Sequence, residues 1–244
     1  MQLPKKITPD SIINAVVEIR YESNTPFELL IGLLAHAFDD SYTYTARPLK
    51  PSPMATPIQE LTLNFGGQSL LYNSKISIRL LPNSFVFNCL GKYIGWESFR
   101  QEINKALLII ENSGHILKWN RLGLRYITEY LKTDLKDCTK FSFTFGFPAV
   151  QSLSTTFHNE FEYQGVKVIM NLNNKVPTVR QQEPNKMLEV VPTSIIDVDV
   201  IKEPLALKKA EEIMTVMDEV HNYEKEVFFT LLTKEFLETL HPEY

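Results

Sequence analysis

The chain has 244 residues, with Lys+Arg 25 against Asp+Glu 29 and a formal net charge of −4. With 44% apolar and 11% aromatic residues it is too hydrophobic for a disordered chain, and 2 cysteines cannot build a disulfide framework. The acidic balance argues against general electrostatic binding of nucleic acid, leaving a globular protein large enough for a full core.

Met1–Lys6 is polar and basic, but the apolar run of a secretory leader does not follow it. No stretch reaches the roughly 18 apolar residues of a membrane span. The longest apolar run, Leu29–Phe38, is broken by Gly32 and His36 and reads as a buried helix. The expectation is a cytoplasmic protein away from membranes. Its two thiols are reduced: Cys89 sits in an apolar run and Cys138 in a polar loop, and neither has a histidine nearby in sequence.

In chain order, residues 15–21 alternate. Ala15, Val17, Ile19 and Tyr21 share one face, and Glu18 and Arg20 lie on the other, as in a half-buried strand. Thr25-Pro26-Phe27-Glu28 reads as a capping box opening a helix to about Phe38. Four prolines mark 47–58 as an extended loop, and strands are expected at 59–65, 69–73, 75–81 and 84–90. Trp96, Phe99, Ile103, Ala106, Leu107 and Ile110 recur at helical spacing, so 96–112 is an amphipathic helix stopped by Asn112-Ser113-Gly114.

A long strand over about 115–131, bent at Gly123, follows, with further strands at 141–146, 153–163, 166–172 and 187–201. Gln164-Gly165 is a hairpin turn, and 173–186 reads as a polar excursion. Pro204 is expected to introduce a helix to about Val220, with a second over about 222–239. Residues 205–244 hold four lysines against nine acids, so a net −5 resides there and the preceding 204 residues are close to neutral.

The order of elements repeats. Each half runs from a strand through further strands to a long helix, and Glu18-Ile19-Arg20-Tyr21 echoes Gly123-Leu124-Arg125-Tyr126. The expected class is α+β: antiparallel sheets gripping long helices, with a helical C-terminal pair. Residues 1–114 and 115–244 form two pseudo-repeated halves that share one core, helix-grip-like or TATA-binding-protein-like in outline. In that alignment Asp197 and Asp199 take the places of Phe85 and Phe87. Fold analogy of this kind says nothing about function.

Several segments stand together in order: the strand Ala15–Tyr21, the Trp96-x-x-Phe99 helix start, Arg121-Leu122-Gly123-Leu124-Arg125-Tyr126-Ile127, and Phe228-Phe229-x-Leu231-Leu232-Thr233-x-x-Phe236 followed by Pro242-Glu243-Tyr244. Over nearly its whole length the chain resembles a sporadically distributed family of uncharacterised bacterial and archaeal proteins of about 250 residues. That family carries no established activity, so the resemblance transfers no site residue. Its sporadic distribution implies a conditional role such as defence or stress.

Phosphate-binding glycine loops, zinc motifs and nucleophile elbows are absent, and no cofactor or metal is expected. The candidate binding residues are Arg20, Arg125 and Arg121 with Glu18 and Glu129, which alternate onto one strand face. Fixed guanidinium forks there would suit a carboxylate or phosphate, whereas cross-strand Arg–Glu pairs on a solvated face would do nothing further. His158, Glu160 and Glu162 share a face as an exposed edge, and Asp197 and Asp199 as an acidic outer face. His221, near Glu224, reads as a helix-end histidine.

The first reading is therefore a binding or interaction module for an unknown protein or small-molecule ligand, with a homo-oligomer left open. An enzyme would instead bring Arg20 and Arg125 into one pocket with perturbed carboxylates. An interaction module would expose apolar surface on the last helices. Nucleic-acid binding by residues 1–204 would need a continuous basic strip.

Overall fold

A computed structural model describes residues 2–38, 40–46, 69–141, 154–180 and 189–244. The alternation read at Ala15–Tyr21 belongs to β1 (Ile12–Glu22), which lies at the middle of a nine-stranded antiparallel sheet. The other strands are β2 (Thr43–Thr45), β3 (Ser69–Tyr72), β4 (Ile76–Leu81), β5 (Ser84–Cys89), β6 (Lys118–Leu131), β7 (Thr155–Tyr163), β8 (Val166–Arg180) and β9 (Glu189–Lys202). Their order is β2-β3-β4-β5-β1-β6-β9-β8-β7. Before and after the central β1–β6 pair, each first strand lies beside the last strand of its own segment, β1 beside β5 and β6 beside β9.

The helices are α1 (Phe27–Ala37), α2 (Trp96–Asn112), α3 (Leu135–Cys138), α4 (Ala210–Leu231) and α5 (Lys234–Thr239). One apolar cluster joins Ala15, Val17 and Ile19 of β1, Leu122 and Leu124 of β6 and Ile196, Val198 and Val200 of β9 to α2 and α4. Period-two strands and period-3.6 helices thus bury one face each against the other. On α2 the buried set is Phe99, Ile103, Ala106, Leu107 and Ile110, with Glu102 among them. Glu102 is satisfied there by Lys75, Lys105 and Asn73, which ties α2 to the turn between β3 and β4.

Several expectations are corrected. Residues 173–180 are not an excursion: β8 runs on to Arg180 after a bulge between Asn173 and Val176. Among the described residues this continuation pairs only with β9, because β7 begins opposite Asn174. β9 also outruns β6 there, so Pro177 and Pro192 face each other in a two-stranded ribbon where missing N–H groups leave no ladder unpaired.

The expected helical pair is one continuous helix, α4, followed by the short α5. Val220-His221-Asn222 contains no helix breaker, and Ile213, Met217, Val220, Glu224 and Phe228 continue a single stripe. The break comes at Leu232, where the Thr233 hydroxyl accepts from Phe236 N at 3.2 Å and caps α5. Nor does Pro204 start a helix; Leu205 and Leu207 instead bond to the backbone of Asn120 and Trp119.

Thr25 makes no cap for α1, since its hydroxyl meets His115 Nδ1 at 3.1 Å. Cys138 is buried in α3 rather than in a polar loop. The expected loop 47–58, strand 59–65 and nearly all of strand 141–146 lie outside the described residues. No helix among the described residues is long and apolar enough to cross a membrane.

Candidate functional site

With the helices on one face, the other face of the sheet carries the charged residues. Arg20 lies directly opposite Arg121, Glu18 opposite Gly123 and Val16 opposite Arg125. Arg125 in turn lies opposite Asp199, and Ile127 opposite Asp197. Asn171 faces Asp197, and His158 faces Asn171. The five sequence candidates therefore share one sheet face with Asp197, Asp199 and His158. Phe85 and Phe87, which the sequence echo sets against Asp197 and Asp199, lie opposite Ile19 and Val17 on the helix face. Opposite Arg20 stands Ser84, as Asp199 stands opposite Arg125, and the same count sets Pro82, between β4 and β5, against Asp197.

Two directly opposed arginines repel one another. Glu18 bridges them, accepting from Arg20 Nε at 2.9 Å and lying 3.1 Å from Arg121 Nη1. Glu203, after β9, lies 3.3 Å from Arg121 Nε. The Arg121 side chain is only 10% exposed, and its Nη1 makes no hydrogen bond of good geometry. Arg20 is 44% exposed at the side chain. Together with Asn83, Asn120, Glu203 and Pro204, the two arginines line an open groove of about 450 Å³. Guanidinium and amide donors and a carboxylate lining one groove suit a ligand carrying both an anionic group and hydrogen-bond donors.

Arg125 lies outside that groove. Its guanidinium forms a bidentate pair with Asp197, both bonds 2.7 Å long, and Asn171 Nδ2 donates to the same carboxylate at 3.1 Å. His158 Nδ1 meets Asn171 Oδ1 at 2.7 Å and extends the chain of contacts to β7. β9 is thus an interior strand, and its acids do not form a solvated acidic face: Asp197 is buried.

Asp199 receives no hydrogen bond from a described residue. Burial pushes its carboxyl up to about 6, with Asp197 and Glu18 adding to the rise and Arg121 and Arg125 opposing it. Gly123 makes room for this arrangement. A Cβ at Gly123 would sit 3.5 Å from Arg121 Nη1 and 3.6 Å from Asp199 Oδ1, so the guanidinium and the carboxyl converge over a residue without a side chain.

Glu129 is held apart from the groove. It pairs with Arg180, near the tip of the β8–β9 ribbon. In register Glu129 faces Ile195, while Arg180 faces Glu189, six residues further along β9. Six residues of straight strand span roughly 20 Å, beyond the reach of the two side chains. The ribbon therefore bends back over the outer face, and Ile127 and Ile195 are buried there, outside the main core.

A second polar cluster lies on the helix side, and sequence reasoning missed it. His221 of α4 stacks on Trp96 with ring centroids 3.9 Å apart and planes at 11°. Its Nδ1 is 3.4 Å from the Tyr126 hydroxyl, which is 3.1 Å from the Tyr93 hydroxyl. One turn on, Glu224 is buried without a hydrogen bond from a described residue. Burial pushes the His221 imidazole down to about 3 and the Glu224 carboxyl up to about 8. His221 is therefore an interior neutral imidazole and not a helix-end residue. The i, i+3 spacing of His221 and Glu224 was visible, but their partners come from β6 and the start of α2.

Burial pushes the thiols of Cys89 and Cys138 up to about 11 and about 12, which leaves both unreactive near neutrality. Among the described residues no group of three or more His, Cys, Asp or Glu side chains could hold a metal ion. Glu160, on the face shared with His158 and Glu162, is taken up by Lys167. On the last helices Phe228 and Phe229 are buried, and none of the strongly exposed large apolar side chains lies on α4 or α5. No family model matches the chain, and no curated protein matches it.

Proposed function

We propose that this protein is a binding module that takes a carboxylate- or phosphate-bearing ligand in the groove of Arg20, Asn83, Asn120, Arg121 and Glu203. The observation that carries this reading is the opposed pair Arg20–Arg121. A fold has no use for two directly facing arginines, one of them buried with a donor left over, and local conflicts of this kind collect at functional sites. The ligand's anionic group would take the exposed Arg20 fork beside Arg121, and Asn83 and Asn120 would orient it.

Titration of the 15N-labelled protein with inorganic phosphate and, separately, with acetate tests the reading. Saturable shifts at Arg20, Asn83, Asn120 and Arg121, lost in Arg20→Ala, are expected. The stronger of the two probes names the anion class. Shifts scattered over the surface, or none in the groove, overturn it.

An enzyme is the second reading. It is favoured by Asp199, which sits between Arg121 and Arg125 with a carboxyl poised near neutrality. Nucleic-acid binding is less well supported, because the outer-face arginines alternate with Glu18, Glu203 and Asp197 instead of forming a basic strip. The duplication of the two halves, in a TATA-binding-protein-like outline, belongs to the same proposal. It is supported by the antiparallel pairing of β1 with β6 and by the direct opposition of Glu18 and Gly123, which lead the two echoing tetrapeptides. Membership of the sporadic bacterial and archaeal family, a cytoplasmic location and a conditional role complete the proposal.

A further inference from the structure

Among the described residues the sheet ends on β7, and no described strand covers this edge. Proteins blunt edge strands with charged side chains, above all Lys, and with Pro, bulges or short length. β7 has nine residues (Thr-Thr-Phe-His-Asn-Glu-Phe-Glu-Tyr) with no Lys or Pro, and it pairs with β8 without a register shift. The opposite edge, β2, has three residues.

The hairpin between β7 and β8 fixes which backbone groups point outward. Gln164 and Gly165 both have positive φ (48° and 78°), as in a type I′ turn. The flanking pair Tyr163–Val166 then exchanges both N–H···O bonds, and by alternation Phe161, Asn159 and Phe157 also turn their backbone towards β8. Thr156, His158, Glu160 and Glu162 turn their N–H and C=O groups to the open edge. Among the described residues no strand or backbone hydrogen bond meets them.

We infer that β7 pairs with β7 of a second copy of this chain, antiparallel, about a two-fold axis through Asn159. In that register every outward backbone group is paired. On the outer face His158 stands opposite Glu160 of the partner subunit, and Thr156 opposite Glu162 of the partner subunit. On the helix face the half-buried Phe157 stands opposite Phe161 of the partner subunit. Complementary polar pairs and facing aromatics stabilise antiparallel strands.

Other registers lose these contacts. Moving the axis to Glu160 sets that residue against Glu160 of the partner subunit. Moving it to His158 sets Asn159 against Phe157 of the partner subunit. A one-residue slip turns the apolar set to the charged face. In the Asn159 register both helix layers lie on one side, and the two charged outer faces join across the dimer.

Sedimentation velocity of the full chain over a dilution series tests this. A dimer of twice the 28.1 kDa chain mass that dissociates on dilution is expected. Glu160→Pro removes one outward N–H and no bond to β8, so it should give a monomer with unchanged circular dichroism and melting temperature. His158→Glu should weaken the dimer about tenfold, and adding Glu160→Lys should restore it. A monomer at every concentration, or a dimer that folded Glu160→Pro leaves intact, overturns the inference. If Glu160→Pro does not fold, the surface pair decides: failure of Glu160→Lys to rescue His158→Glu overturns it.

Discussion

At the scale of single residues, equal chemistry has different consequences in different surroundings. Arg20 and Arg125 occupy echoing positions, yet one is exposed and the other is clasped by a buried carboxylate. Arg20→Ala should cost less than about 1 kcal/mol of stability, as exposed ion pairs do, while abolishing groove binding. Arg125→Ala strands Asp197 and should cost about 3 kcal/mol, read by urea denaturation. Glu224 and His221 set the pH response. The folded Glu224 carboxyl titrates near 8, above its unfolded value, so its contribution is present at low pH and is lost as pH rises towards 8. The folded His221 imidazole titrates near 3, so its contribution is present above its unfolded value of about 6.5 and is lost as pH falls towards 3. Between about pH 4.5 and 6.5 the two slopes oppose one another, with Asp199 adding to the fall up to about pH 6, and above about pH 6.5 the Glu224 slope remains. Glu224→Gln should therefore stabilise the protein at pH 8, on the order of 2–4 kcal/mol, and flatten the fall above pH 6.5. Melting curves at pH 6.5 and 8 measure this.

At the scale of elements, periodicity found most strands and the long helix α2, but it misjudged where several elements end and divided α4 in two. The polar composition of residues 173–180 suggested a loop, and tertiary pairing with β9 made it strand. The apparent gap at 221–222 is no break: α4 runs through it with one buried stripe. Asn222→Pro discriminates between the two: it would be mild between two helices but removes a hydrogen bond inside one. We expect a loss of about 3 kcal/mol in urea denaturation. The outer-face candidates were legible because a strand's side chains alternate. That Arg121 would oppose Arg20, and that Glu129 would lie beneath a ribbon, depends on register and on a bend that no single strand encodes.

At the scale of the whole molecule, the two halves are not separable units. β1 and β6 pair along almost their full lengths at the middle of the sheet, and removing either exposes a long edge with a buried apolar face. A fragment of residues 115–244 should lack cooperative unfolding, whereas the full chain should unfold in one transition followed by near-UV circular dichroism. Two populations of different stability in the full chain would contradict a shared core.

By itself the sequence determined the α+β class, the strand and helix faces, and the set of charged residues that share the outer face. These follow from local periods of 2 and 3.6, which each segment carries within itself. Tertiary structure alone decided which charges meet: Arg20 with Arg121 in a groove, Arg125 with Asp197, Glu129 with Arg180, and His221 with Trp96 and Tyr126. Register and packing join residues far apart in the chain; Trp96 and His221 are 125 positions apart. The free energy that fixes them comes from burying a core shared by both long helices and most of the strands.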